Sequence, residues 1–174
     1  MRVLKFILSP VLPLLAALTL TGCAGYSLGP VNNAIAGEKS VEIKPFNNQT
    51  LQPRLGDAVT QALRERVQTD GTLQLATHGD ADIVVTGVIR SYTRDALGYL
   101  STDAATPEDY RIQVVAHVTV RDTATGKLLL DKDVKGHTLV HIGLDLASAE
   151  RQAMPILAND LAQTITGLLT EGAW

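Results

Sequence analysis

Apolar and polar positions change period several times along this chain, and each change marks an element. Ser40–Phe46 (SVEIKPF) alternates Val41, Ile43 and the Pro45/Phe46 end against Glu42 and Lys44, the period of a half-buried strand. Asn47, Asn48 and Gln49 break that alternation, because an asparagine side chain bonds nearby backbone and favours turns. Across Pro53–Gln68 the period lengthens. Leu55, Ala58, Val59, Ala62, Leu63 and Val67 recur on one helical face, with Asp57, Gln61, Arg64, Glu65 and Gln68 opposite. Pro53 suits the first turn of this helix and Asp70-Gly71 its C-terminal stop.

Thr72–Ala76 is a short strand candidate. After a turn at His78-Gly79-Asp80, Asp82–Thr93 (DIVVTGVIRSYT) is rich in β-branched residues, setting Val84, Thr86, Val88 and Arg90 against Val85, Gly87, Ile89 and Ser91. Ala96–Glu108, with Gly98, Pro107 and small polar residues, reads as a long mobile loop. Tyr110–Asp122 alternates again, with Ile112, Val114, Ala116, Val118 and Val120 inward and Arg111, Gln113, His117, Thr119 and Arg121 outward. Thr123–Gly126 is a hairpin connection whose glycine can take positive φ, and Lys127–Gly136 returns as the partner strand. His137–Leu146 has no clear period. From Ala147 to Leu169 a second helix carries Ala153, Ile156, Leu157, Leu161, Ile165 and Leu168 on one side. Pro155 within it either kinks the helix or marks the start of its well-packed half.

The order is β-α-β-β-β-α. It predicts an α+β fold: a four-stranded, mainly antiparallel sheet covered on one face by two helices.

The N-terminus follows a different logic. Arg2 and Lys5 precede an uncharged run from Phe6 to Leu20 that ends in Leu20-Thr-Gly-Cys23. At about 15 residues, and interrupted by Pro10 and Pro13, the run is shorter than the roughly 20 a spanning helix needs, so it reads as a secretory signal. Residues 20–23 resemble the bacterial lipobox. That resemblance implies cleavage after residue 22 and lipidation of Cys23, through a diacylglyceryl thioether and an N-linked acyl chain such as palmitate. Two or more chains suffice for stable anchoring. Ala24, where an aspartate is the usual inner-membrane retention signal, points to the outer membrane, periplasmic side. The domains expected are thus a signal peptide (1–22), a lipidated small-residue tether (23–38) and a single domain (39–174). The whole chain carries net charge −3, and loss of Arg2 and Lys5 makes the remainder more acidic, with no basic stripe for nucleic acid. Cys23 is the only cysteine, so the domain depends on packing instead of disulfides.

Several short motifs occur in order along the chain. They are Cys23-Ala-Gly-Tyr26-Ser-Leu, Val41-Glu-Ile-Lys-Pro-Phe46-Asn47-Asn48, Pro53 opening the first helix and Asp70-Gly71 closing it. Ala81-Asp82 before Thr86-Gly87-Val88-Ile89, and Asp122…Thr125-Gly126-Lys127, complete the set. Together they resemble the lipopolysaccharide-assembly outer-membrane lipoprotein family, LptE. The resemblance implies a non-enzymatic protein without cofactor, seated like a plug in the lumen of the β-barrel translocon LptD and assisting lipopolysaccharide passage. An alternative within binding proteins is an auxiliary lipoprotein of an ABC-type lipid transport system.

Catalytic chemistry finds little support. His137 and His141 have i, i+4 spacing, which ligates a metal only on a helix, and no carboxylate or cysteine completes a set. Ser148, His141 and Asp145 could form a triad on paper, without any nucleophile elbow. A lipid-anchored hydrolase is thus the remaining reading from the enzyme class. The better candidates are arginines, whose planar fork suits phosphate and carboxylate. Arg90, Arg94 and Arg111 are the expected lipopolysaccharide contacts, with Arg94 and Arg111 sharing one phosphate if residues 95–109 close a hairpin between them.

Overall fold

The computed structural model describes residues 38–77, 79–100, 103–141 and 145–171; the expected signal segment and tether, with Cys23, lie outside them, as does Trp174. The elements in chain order are β1 (Ser40–Ile43), β2 (Asn47–Asn48), α1 (Leu55–Asp70), β3 (Gln74–Leu75), β4 (Ile83–Leu100), β5 (Asp103–Asp122), β6 (Leu128–His141) and α2 (Leu146–Thr170). None of the described helices is long and apolar enough to cross a membrane.

The fold is α+β with two helices, but the sheet is mixed and six-stranded, not four-stranded and mainly antiparallel. Its order is β3-β1-β4-β5-β6, with β2 also pairing with β4. β4, β5 and β6 form the expected antiparallel meander. β1 runs parallel to both β3 and β4, with Val41 opposite Leu75 and Ile83, and β2 runs parallel to β4 further along. The reason is α1: a helix between β1 and β3 carries the chain back to the end where β1 began, so the next strand runs the same way.

One apolar cluster joins the layers. Val41, Ile43, Leu55, Val59, Leu63, Ile83, Val85, Ile89, Leu157, Leu161 and Ile165 are all buried in it, as are the five inward residues of β5 from Ile112 to Val120. The inner face of α2 is turned slightly from the expected one. Ala158, Ala162 and Leu169 are buried, whereas Ile156 is 59% exposed and Leu168 only partly covered. Gly136 lets α2 lie directly on β6, where a Cβ would come within 2.8 Å of Leu161 Cβ and 2.9 Å of its backbone N, while Ala158 lines the groove between the helices with Ala58 and Ala62.

The sequence motifs turn out to be joints. Phe46 lies over Gly87 in the neighbouring strand, where a Cβ would sit 2.1 Å from ring atom Cε1. The Phe46 N–H donates to Thr60 Oγ1 at 2.9 Å, and that hydroxyl donates to the Gly56 carbonyl at 2.7 Å. Asp82 accepts from the N–H and hydroxyl of Ser40, both at 2.7 Å, clipping the start of β1 to that of β4 and holding its own carboxyl below the usual range. Asp122 accepts from the Thr125 N–H and hydroxyl at 2.8 Å, while Gly126 takes φ 68° to complete the hairpin. Gly71, at φ 73°, ends α1 by donating to the Val67 carbonyl.

The stretch expected to be a mobile loop is strand. β4 and β5 run on through Ala96 and Glu108 as a two-stranded arm, paired from Ala96↔Tyr110 through Gly98↔Asp109 to Tyr99↔Pro107. β6 stops at His141, opposite Asp109, so the arm projects beyond the third strand. Irregular register on both sides of Gly98 removes the alternation that would have marked it.

Candidate functional site

The arginines sit where β4 leaves the body of the sheet. Ile89 faces Ala116 and Ser91 faces Val115, so Arg90 is the extra residue of a β-bulge. One extra residue reverses every later side chain. Tyr92 and Arg94 therefore lie opposite Val114 and Ile112, on the helix-covered face, instead of continuing the outward series of Thr86 and Val88.

Arg94 Nη1 meets Glu150 Oε1 of α2 at 3.0 Å, and the Glu150 side chain is only 12% exposed. The Tyr92 hydroxyl also bonds Glu150; burial first, and the Glu150 charge second, push it up to about 12. These three groups tie β4 to the start of α2. Arg90 turns to the open face of the sheet, with Nη1 3.0 Å from Asp133 Oδ1. Asp133 also faces His117 Nδ1 at 2.8 Å, and His117 Nε2 faces Asp131 at 2.6 Å. Arg111 is exposed on the same open face, paired in register with Asp95 and Leu139, and has no ion-pair partner among the described residues.

The expected sharing of one phosphate by Arg94 and Arg111 is thus corrected. Arg94 opposes Ile112 and Asp95 opposes Arg111, which puts the two guanidiniums on opposite faces of the sheet. Of the three candidate arginines, Arg90 and Arg111 share a face and Arg94 lies on the other.

Other polar groups have structural employment. Asp145 caps α2 by accepting from the Ser148 N–H at 2.8 Å, and Ser148 Oγ accepts from Arg151. His141 Nδ1 lies 2.8 Å from Asp109 Oδ1, a hydrogen bond that holds its imidazole above the ordinary histidine range. Ser148, His141 and Asp145 therefore do not form a relay. His137 and His141 are on a strand, and among the described residues no three or more His, Cys, Asp or Glu side chains are placed to hold a metal ion.

The described residues also form concave surfaces. A cleft of about 510 Å³ opens between the end of β6 and the start of α2, lined by Leu139, His141, Ser148, Ala149 and Ile156. A groove of about 670 Å³ runs between the helices, past Arg54, Asp57, Gln61, Arg151 and Pro155. Leu51, on the loop that enters α1, is fully exposed. That loop is built around Asn48, whose Oδ1 accepts from the Thr50 N–H and hydroxyl and whose Nδ2 donates to the Gln52 carbonyl. The sequence signalled Asn48 only as a turn former, and nothing in it marked Leu51.

Comparison with solved structures returns the same layout in distant chains. A hypothetical protein from Chlamydia trachomatis has 10% identity and a TM-score of 0.57, covering 78% of this chain and 97% of its own. A protein from Xanthomonas campestris has 12% identity and a TM-score of 0.54 over 82% and 93%. A minor lipoprotein from Acinetobacter baumannii has 17% identity and a TM-score of 0.52 over 76% and 92%. At such identities the likeness is one of fold. No match was found among curated proteins. The family model for lipopolysaccharide assembly, LptE, matches residues 38–166, from the first described residue through most of α2. With that match spanning the sheet, both helices and every joint described above, the chain belongs to the LptE family of lipopolysaccharide-assembly proteins.

Proposed function

We propose that this chain is an outer-membrane lipoprotein, anchored through Cys23 on the periplasmic side, that binds an LptD-type β-barrel and lipopolysaccharide and acts without catalysis. The observation that carries the reading is the family match over residues 38–166. It is supported by the lipobox-like Leu20–Cys23 and by an open sheet face lined with charged and polar groups, among them Arg90, Asp133, His117 and Arg111. Such a face suits the polar interior of a barrel better than a second apolar layer.

Anionic lipid would meet Arg90, Arg94 and Arg111 unequally. Arg111 has no ion-pair partner among the described residues, Arg90 shares Asp133 with His117, and Arg94 is engaged by a nearly buried carboxylate. Charge reversal at Arg111 should therefore weaken lipopolysaccharide binding more than reversal at Arg90, with both effects fading as salt rises.

Affinity purification of the full-length lipidated chain tests the reading. Recovery of a large outer-membrane β-barrel in stoichiometric amount is expected, and Cys23→Ala should release the chain from the membrane fraction. Recovery of an inner-membrane permease instead would favour the ABC-transport alternative, and a preparation holding neither would sink the proposed function.

A further inference from the structure

The two-stranded arm is attached to the sheet through a joint instead of a continuous ladder. Between Ala96↔Tyr110 and Gly98↔Asp109 the extra residue is Leu97 of β4, and between Gly98↔Asp109 and Tyr99↔Pro107 it is Glu108 of β5. Bulges bend a strand pair and interrupt its ladder, so one on each strand, both against the Gly98–Asp109 pair, marks where the arm bends. The Asp109 carboxylate lies over the glycine there: a Cβ at Gly98 would sit 3.1 Å from Asp109 Oδ2.

The joint is braced on both faces of the sheet. On the helix-covered face, Glu150 of α2 holds Arg94 and Tyr92 just below it. On the open face the brace is His141, the last residue of β6. Its Nδ1 lies 2.8 Å from Asp109 Oδ1 and its Nε2 3.8 Å from Glu108 Oε1, so one imidazole reaches the paired and the bulged residue together. A neutral imidazole has one N–H and an imidazolium two, so only the protonated ring donates toward both carboxylates. The opposite brace rests on an arginine, which keeps its charge at any working pH.

The other charged or titratable groups around His141 have their own places. Arg111, two residues along β5, stands between Leu139 and Asp95, and Tyr99 of β4 is opposite Pro107. Asp145, at the start of α2 and lining the same cleft, accepts from the Ser148 N–H, and His137 on β6 meets Asp160.

We propose that His141 is a pH-sensitive clasp on the arm: protonated, it holds the arm in line with the sheet, and neutral, it lets the arm bend at Gly98–Asp109 toward α2, the face on which a brace persists. The Asp109 hydrogen bond keeps the imidazole above the ordinary histidine range, so the clasp is closed below that raised value and opens as pH climbs through it.

Pulsed electron paramagnetic resonance on the full lipidated chain, spin-labelled through Tyr99→Cys and Gln152→Cys, reads the distance from the arm to α2. Between about pH 5.5, where carboxylates are ionised, and about pH 8.5, the population at the shorter distance should rise about twofold to fivefold, the range for an exposed ion pair. His141→Ala and Asp109→Asn should each abolish that response. A pair at Lys135→Cys and Gln152→Cys, outside the arm, should hold one distance throughout; a change there too would overturn the proposal, since the movement would not be the arm's. A wild-type distribution indifferent to pH, a response that survives His141→Ala, or bending away from α2 would also overturn it. If a variant does not fold, the wild-type titration decides: the arm distance and the His141 imidazole resonance should share one midpoint, and midpoints more than about one pH unit apart would refute the clasp.

Discussion

Replacing Gly87 with alanine should destabilise the protein by about 2–3 kcal/mol, a magnitude that follows from one contact. The new Cβ would lie 2.1, 2.4 and 2.5 Å from three atoms of the Phe46 ring. Carbon atoms rest at about 3.5–4.0 Å, so the ring must retreat by more than about 1 Å. Its backbone cannot follow. Phe46 N is held by Thr60 Oγ1, its carbonyl crowds Gly56, and Asn47 and Asn48 are paired to Val88 and Ile89. The ring, 5% exposed in its native place, then either overpacks the core, at about 1–3 kcal/mol, or swings out and forfeits about 1.5–3 kcal/mol of burial. Urea unfolding followed by far-ultraviolet circular dichroism measures the loss as a lower midpoint at unchanged slope. In a Phe46→Ala background the same substitution should cost almost nothing, because the atoms it strikes are gone. A single-variant loss below about 0.5 kcal/mol, or a full loss persisting without the ring, would refute the reasoning.

Gly136→Ala should cost about 1–3 kcal/mol by pushing α2 off β6, since its nearest obstacles include Leu161 backbone; a wild-type midpoint would show that the helix shifts freely. Tyr92 binds its proton more tightly in the fold, with its pKa pushed from 10.0 to about 12, so its contribution is whole below pH 10 and lost as pH rises toward 12. Unfolding midpoints measured across that window should fall for the wild type and stay flat for Tyr92→Phe. His141, raised by Asp109, contributes stability at low pH that disappears as pH climbs through its folded pKa. Its imidazole resonance should titrate above the ordinary histidine value, and Asp109→Asn should return it to that value.

How far the sequence could be read depended on whether a feature was written locally. The buried face of α1, the alternation of β5 and the turn at Asp122–Gly126 are matters of neighbouring residues, and the structure contains them as expected. Parallel pairing of β1 with β4 leaves no local trace, since SVEI alternates identically in either direction. The bulge at Arg90 was equally silent. An uninterrupted period of two keeps Arg94 outward, and one uncounted residue moved it under α2 to Glu150. In α2 the larger Ile156 outweighed Ala158 and Ala162 on an apolar scale, although Ala158 packs into the groove between the helices and Ala162 is fully buried. The arm failed for another reason: Gly98 and Pro107 are loop formers, yet both are tolerated in an irregular two-stranded ribbon.

The parallel placement of β1 and β2 also governs the order in which the chain can fold. A protein delivered N-terminus first exposes Val41, Ile43 and Phe46 long before their partners arrive, because Val41 waits for Ile83 and Phe46 for the bare backbone of Gly87. The β4–β5–β6 meander closes over short connections and needs nothing upstream. Contact order therefore predicts that folding starts in the second half of the domain and that β1 and β2 are the last strands to be laid into the sheet. Until then the first strand and the apolar face of α1 remain exposed, a hydrophobic surface open to wrong partners while the chain is incomplete.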